Sequence, residues 1–318
     1  MKRRILIGLV LVLALGCGQP KKQTPPVPAT RDFPMVEIPM MITQPEQRAE
    51  WLAQHFWEPF TQPGKLYFCD SVTVNGVPAE KLEQQVGLFA SILQQITLPA
   101  GQEAMKAAFG RLEAFQKAQP EGNTFSRTSA LISRYFYDPN SPVRSEDLYL
   151  PFVSLLASSD LVADEERGRY AWDARTCALN QTGTPAADFT FVDTEGRRRT
   201  LYGIRAAYTL LIFGNPDCQA CREIMEQMTA SPEISALISS GRLKVADIYI
   251  DEDLDQWKAK KDTYPREWIN GYDPDFVIRT DRLYAVRAVP SLYLLDEKKN
   301  VLMKDAPQEM VLQALTML

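Results

Sequence analysis

Apolar residues recur at helical spacing through the first half of the chain and gather into short continuous runs in the second. Leu82, Val86, Phe89, Leu93 and Ile96 advance by steps of four and three, and Met105, Ala108, Phe109, Leu112 and Phe115 do much the same. Such spacing lines one side of an α-helix with apolar side chains, so each set predicts an amphipathic helix with a buried stripe. Helical patterning continues over Ser129 to Tyr137, Ser145 to Ser158 and Ala163 to Cys177, interrupted by the turn-forming Asp138-Pro139-Asn140-Ser141-Pro142. Upstream, Thr43-Gln44-Pro45-Glu46 pairs a Thr with a Glu three positions on and sets Pro inside the first turn, a helix-start signature leading into Trp51, Leu52 and Phe56. An all-helical domain over residues 44–180 is expected.

From Asn180 the texture changes. Gly183 to Asp193 reads as extended chain, Thr194-Glu195-Gly196 as a turn and Arg199 to Leu201 as a second short strand. Tyr208 to Phe213 and Leu243 to Ile250 are apolar at nearly every position, as strands covered on both faces must be. A helix is predicted from about Cys218. A third buried strand covers Val289 to Leu295, Val301 to Lys304 returns after Asp296 to Asn300, and helix-like residues from Glu309 to Leu318 follow. Strand, helix, strand, crossover, hairpin and helix make one α/β domain over residues 183–318, which is expected to fold alone on its own core. The fold class predicted for the whole is α+β, in two domains.

Composition adds two points. A chain of 318 residues with 45% hydrophobic content suits two domains with real cores. Its net charge of −5 becomes −8 if Lys2, Arg3 and Arg4 are lost, which opposes a nucleic-acid role, because neutralising phosphates takes excess Lys and Arg.

Those three basic residues open a targeting segment. The apolar run from Ile5 to Gly16 is shorter than the roughly 18 residues of a membrane span, and its basic start fits an export leader. The run ends Ala14-Leu15-Gly16-Cys17, which resembles a bacterial lipobox with Ala where Leu is usual. The resemblance implies cleavage of the leader and a lipid chain on Cys17, so residues 1–17 read as signal peptide and lipidated Cys. An ordinary secretory leader with a chance cysteine is the alternative. The proline-rich, polar Gly18 to Pro28 cannot collapse into a core, and residues 18–43 read as a tether. A lipid-anchored, periplasm-facing protein of the cell envelope is expected.

The chemistry concentrates at Cys218-Gln219-Ala220-Cys221, where a buried strand gives way to a helix. Thiolate is the reactive species, and a helix N-terminus favours it through its unpaired N–H groups. Cys221, one turn later on the same face, can attack a mixed disulfide formed at Cys218. A zinc knuckle needs four ligands, whereas only Cys69, Cys177 and His55 remain and none is paired at metal spacing. No metal or cofactor is expected. A purely structural Cys218–Cys221 disulfide stays open at this point. His55, among Trp51, Phe56 and Trp57, reads as packing, as does Tyr135-Phe136-Tyr137. Cys69 and Cys177 are expected to be free buried thiols, with a bridge between them as the alternative. Trp257, Tyr264, Trp268 and Tyr272 read as packing in an insertion over the sheet, or as one wall of a substrate groove.

Three stretches in order carry a wider resemblance: Gly183 to Phe189, the strand leading into Cys218 and Cys221, and Tyr284-x-Val286-x-x-Val289-Pro290-Ser291-Leu292-Tyr293. Together they resemble the thioredoxin fold, in particular the extracytoplasmic thiol-disulfide oxidoreductases of the TlpA and ResA type. The resemblance implies a protein disulfide reductase or isomerase in which Cys218 is the exposed nucleophile and Cys221 the resolving thiol. It also implies that Pro290 is cis beside the dithiol, with the Val289 backbone free to pair with an extended substrate. Implied partners are protein or small-molecule disulfides and a membrane electron donor. There are departures. Asp217 stands where Trp is usual, and its charge is expected to oppose a thiolate if close. Ile212 stands where a carboxylate or amide is common, and no proline lies between the cysteines. Peroxiredoxin-like proteins share the Gly183 to Phe189 entry, but Leu211 and Asn215 replace their Pro and Thr or Ser. The helical half is similar to an uncharacterised domain that precedes thioredoxin-like modules in lipoproteins of some Gram-negative anaerobes. The rival reading is a non-catalytic adaptor lipoprotein whose helical half binds a partner.

Overall fold

The computed structural model describes residues 30–64 and 67–318; the leader, Cys17 and the start of the spacer lie outside them. The first half is built from α1 (Pro45–His55), α2 (Ala79–Leu93), α3 (Leu98–Ala118), α4 (Thr124–Tyr137), α5 (Glu146–Leu156) and α6 (Asp164–Cys177). The stripes predicted from spacing are its core: Leu82, Val86, Phe89, Met105 and Leu112 are all fully buried, and each such side chain contributes about 1.5–3 kcal/mol by leaving water. His55 stacks on Trp51 with ring centroids 3.9 Å apart and pairs through Nδ1 with Glu58 at 2.7 Å.

Three local expectations need correction. Helix α1 begins at Pro45 with Gln44 as its cap and no side-chain capping bond, so the fixed φ of proline starts it rather than the Thr43 hydroxyl. Helix α4 begins at Thr124, ahead of the expected Ser129, because Phe125, Ile132 and Phe136 share their buried face with Thr128 and Ser129, whose polarity hides the stripe. A two-residue hairpin of β1 (Thr73–Val74) and β2 (Val77–Pro78) interrupts the helices, closed by Asn75 and Gly76, both at positive φ.

In the second half β3 (Thr190–Asp193), β4 (Arg198–Thr200), β5 (Tyr208–Gly214), β6 (Leu243–Tyr249), β7 (Ile269–Tyr272), β8 (Ser291–Leu295) and β9 (Val301–Lys304) form one mixed sheet in the order β4-β3-β7-β6-β5-β8-β9. Central β5 pairs parallel with β6 and antiparallel with β8. Helices α7 (Gln219–Ala230), α8 (Pro232–Ser239) and α11 (Gln308–Thr316) cover one face, where Leu210, Ile212, Val245 and Leu292 meet Ile224, Met228, Ile234 and Val311. The other face packs Leu211, Phe213, Ile248 and Tyr293 against Phe189, Leu201 and Tyr284. Strand β7 falls where the sequence reads an insertion over the sheet; α9 (Leu254–Lys260) precedes it and α10 (Val277–Thr280) follows. Ile-Asn-Gly-Tyr has no apolar run to betray a strand. It is recruited by parallel pairing with β6 and antiparallel pairing with β3.

Candidate functional site

Strand β5 ends at Gly214, and the turn Asn215-Pro216-Asp217 delivers the chain to α7. Asn215 shapes that turn: its carbonyl accepts from the Cys218 N–H at 3.0 Å, its Oδ1 from the Asp217 N–H at 2.8 Å, and its Nδ2 donates to Asp251 at 2.7 Å. Cys218 thus becomes the cap of α7, with the Cys221 N–H donating to its Sγ at 3.2 Å. An amide aimed at the sulfur bonds an anion more strongly than a thiol. Both cysteines are free, Cys218 half-buried and Cys221 buried. Burial first, and then the neighbouring Cys218, push the Cys221 thiol well up, so the inner sulfur holds its proton while the outer one faces solvent.

Across from them the Val289–Pro290 bond is cis, and the Val289 carbonyl lies 3.5 Å from Cys218 Sγ, as acceptor of its S–H. Val289 and Pro290 are both only half-buried. Cys218, Cys221, Val289 and Pro290 therefore share one site, assembled from the start of α7 and the loop before β8. Cys17 lies outside the described residues.

Asp217 and Ile212 look different in three dimensions. The Asp217 carboxylate turns toward α9, where Lys260 Nζ and Gln256 Nε2 both donate to it, so its charge is compensated rather than aimed at Cys218. Beside Ile212, in register on the parallel neighbour strand, stands Asp247. It lies on the face that α7 covers and is only 5% exposed. Burial alone pushes its carboxyl up to about 7, and Asp247 in turn raises Cys221. Gly214 makes the room: a Cβ there would stand 2.7 Å from Asp247 Oδ1 and 3.0 Å from Oδ2. An acid thus stands on β6, in register beside the position where β5 has none. A lone Asp inside the apolar run Leu243 to Ile250 was the signal for it.

Of the four aromatics, Trp257 packs on Tyr272 with centroids 4.9 Å apart and Trp268 joins the core under α7. Tyr264 feels the charges of the dithiol. Its hydroxyl is raised by burial and then by Asp247, Cys221 and Cys218. Cys177 is buried at the end of α6, and Cys69 is half-buried with its Sγ taking the Asn75 N–H at 3.2 Å; they are not bridged.

The model of the domain of unknown function DUF5106 matches residues 16–177. Among solved structures, a thioredoxin-like protein from Bacteroides caccae ATCC 43185 is 35% identical, with a TM-score of 0.77 over 91% of this chain and 99% of that one. The C-terminal domain of an uncharacterized protein from Bacteroides fragilis NCTC 9343 is 47% identical, covering 43% of this chain and 97% of that one at a TM-score of 0.42. No curated protein matches the chain. With just over half of its length inside the DUF5106 match and a thioredoxin-like relative aligned along 91% of it, the chain belongs to the DUF5106 family and to the thioredoxin-like proteins.

Proposed function

We propose that the protein is a thiol-disulfide oxidoreductase of the TlpA and ResA kind, reducing or isomerising disulfides of extracytoplasmic proteins while held to a membrane by lipid on Cys17. The observation that carries the redox reading is the asymmetry of the pair: an accessible Cys218 sulfur 3.2 Å from a helix-start N–H, backed by a buried, proton-holding Cys221.

In the first step the Cys218 thiolate attacks one sulfur of the substrate disulfide. A new S–S bond forms, the old one breaks, and the departing thiolate takes a proton. Val289 and Pro290, both half-buried beside Cys218, are the proposed backbone against which an extended segment bearing that disulfide lies. In the second step Cys221 gives up its proton and attacks Cys218 Sγ, releasing the other substrate thiol and leaving a Cys218–Cys221 disulfide. Two electrons have then passed to the substrate, and a membrane thiol donor must return them. The acceptor proposed for the Cys221 proton is Asp247, whose carboxyl near 7 is matched to neutral pH.

Trapping tests the assignment. In cell-envelope extract Cys221→Ala is expected to accumulate disulfide-linked adducts that dithiothreitol removes, because attack proceeds and release does not; Cys218→Ala is expected to form none. The reverse pattern would exchange the two roles. Adducts with neither variant, in extract where a control thioredoxin variant traps its substrates, would favour the adaptor reading.

A further inference from the structure

The segment carrying Val289 and Pro290 is held from behind by the helical half. Arg287, two residues before Val289, donates through Nε to Glu146 Oε1 at 2.9 Å and lays its guanidinium 4.1 Å from the centre of the Tyr137 ring. Its Nη2 donates to Asp305 at 3.3 Å, while its Nη1 is buried without a hydrogen-bond partner. The same Asp305 carboxylate accepts from Ser291 Oγ at 2.7 Å, so one acid staples the residues on both sides of the Val289–Pro290 pair. Glu146 is itself fixed: Lys304 Nζ stands 3.0 Å from Oε2 and also donates to the Cys177 carbonyl at 2.6 Å. Glu146 and Lys304 side chains are 1% and 2% exposed.

Earlier in the segment Arg282 covers the Trp172 ring at 3.8 Å, and Asn180 Nδ2 donates to the Leu283 carbonyl at 2.6 Å. One side of residues 282–291 is thus gripped by four residues of the helical half, and the other side meets Cys218 through the Val289 carbonyl.

A buried charge network is a poor source of net stability, since apolar residues of the same volume often serve as well. What it does supply is direction. A planar guanidinium fork accepts few geometries, and two carboxylates from different halves leave Arg287 one place to sit. We propose that the helical half is a working part of the substrate-binding edge: Glu146, through Arg287, positions Val289 and Pro290 against Cys218 and so sets how well a disulfide-bearing peptide binds. This rests on the redox reading above. Arg287 and Glu146 are positioning residues, which touch neither substrate nor sulfur.

The test uses the full chain with Arg287→Lys, which keeps the charge but loses the fork, and Trp172→Ala, which frees Arg282 at an exposed ring. Reduction of insulin, with dithiothreitol as electron source, is compared with exchange against oxidised glutathione, which is too small to need the backbone edge. Arg287→Lys is expected to raise KM for insulin about tenfold, the scale of a coupled contact between neighbours, with kcat and the glutathione rate held within about twofold. Trp172→Ala is expected to give a smaller rise of the same kind. An unchanged KM, or a KM and glutathione rate that worsen together with Tm, overturns the proposal as no more than a structural contact. If the wild type reduces neither disulfide, the redox reading has failed and hydrogen exchange decides the positioning claim. Faster exchange in Arg287→Lys confined to residues 285–291 sustains it, and unchanged or molecule-wide exchange overturns it.

Discussion

Asp247 is the residue at which burial and chemistry pull against each other. In the unfolded chain its carboxyl ionises near 3.8, whereas in the folded protein burial holds the proton on up to about 7. Between those values the folded state binds the extra proton, so stability falls as pH rises from about 4 to about 7 and is level beyond. At 1.36 kcal/mol per unit the full loss is about 4 kcal/mol. Asp305, raised to about 6 chiefly by burial and then by Glu146, loses stability in part of the same window, so the wild-type curve alone does not isolate Asp247. A comparison does. Asp247→Asn is expected to match wild type in urea unfolding at pH 4 and to exceed it by up to about 4 kcal/mol at pH 8. Equal differences at both pH values would show that the carboxyl titrates normally. The same variant is expected to slow release of the Cys218 mixed disulfide by about 100-fold, measured by quenching a single turnover, with the first attack unchanged.

Among the elements, the amphipathic helices of the first half and the strands β4 and β9 were legible, and β7 was not. A helix states itself within its own length, through a stripe such as Leu82, Val86, Phe89 and Leu93, whereas β7 is a strand only because two neighbours complete its hydrogen bonds. Gly271 shows how tight that insertion is. A Cβ there would stand 2.7 Å from the Val192 carbonyl oxygen and 2.8 Å from Phe191 Cδ2, and the nearest atom is backbone, which cannot rotate away. Gly271→Ala is therefore expected to destabilise by about 3 kcal/mol or more, with hydrogen-exchange protection lost first at residues 269–272. A loss under about 1 kcal/mol would mean the edge between β3 and β7 yields freely.

For the molecule as a whole, the sequence expects residues 183–318 to stand alone. The helical core and the two faces of the sheet are indeed separate clusters, but a buried ionic seam of Glu146, Arg287, Lys304 and Asp305 joins the halves. In the proposed reading, the other end of the chain sets where the molecule works. If lipid on Cys17 is the anchor, acyl burial at about 0.8 kcal/mol per CH₂ holds it, and Cys17→Ser is expected to move the full chain from the detergent phase to the aqueous phase with its unfolding midpoint unchanged. A variant that stays in the detergent phase would remove lipidation from the account.

What the sequence by itself determined is whatever is written within a turn or a strand: the α+β class, the helical stripes, the buried runs of β5, β6 and β8, and the Cys218–Cys221 pair of the candidate site. Those signals are local, set by periodicity and by residues a few positions apart, whereas Val289–Pro290 entered through the resemblance to the thioredoxin fold. Tertiary structure alone placed an acid beside Ile212, because Asp247 reaches that position only through its register on the adjacent strand. It likewise set the partner for Asp217, whose charge meets Lys260 at a separation of 43 residues, and for Arg287, which finds Glu146 at a separation of 141. Partners that far apart are chosen by how the layers close on one another, and no spacing along the chain encodes that choice.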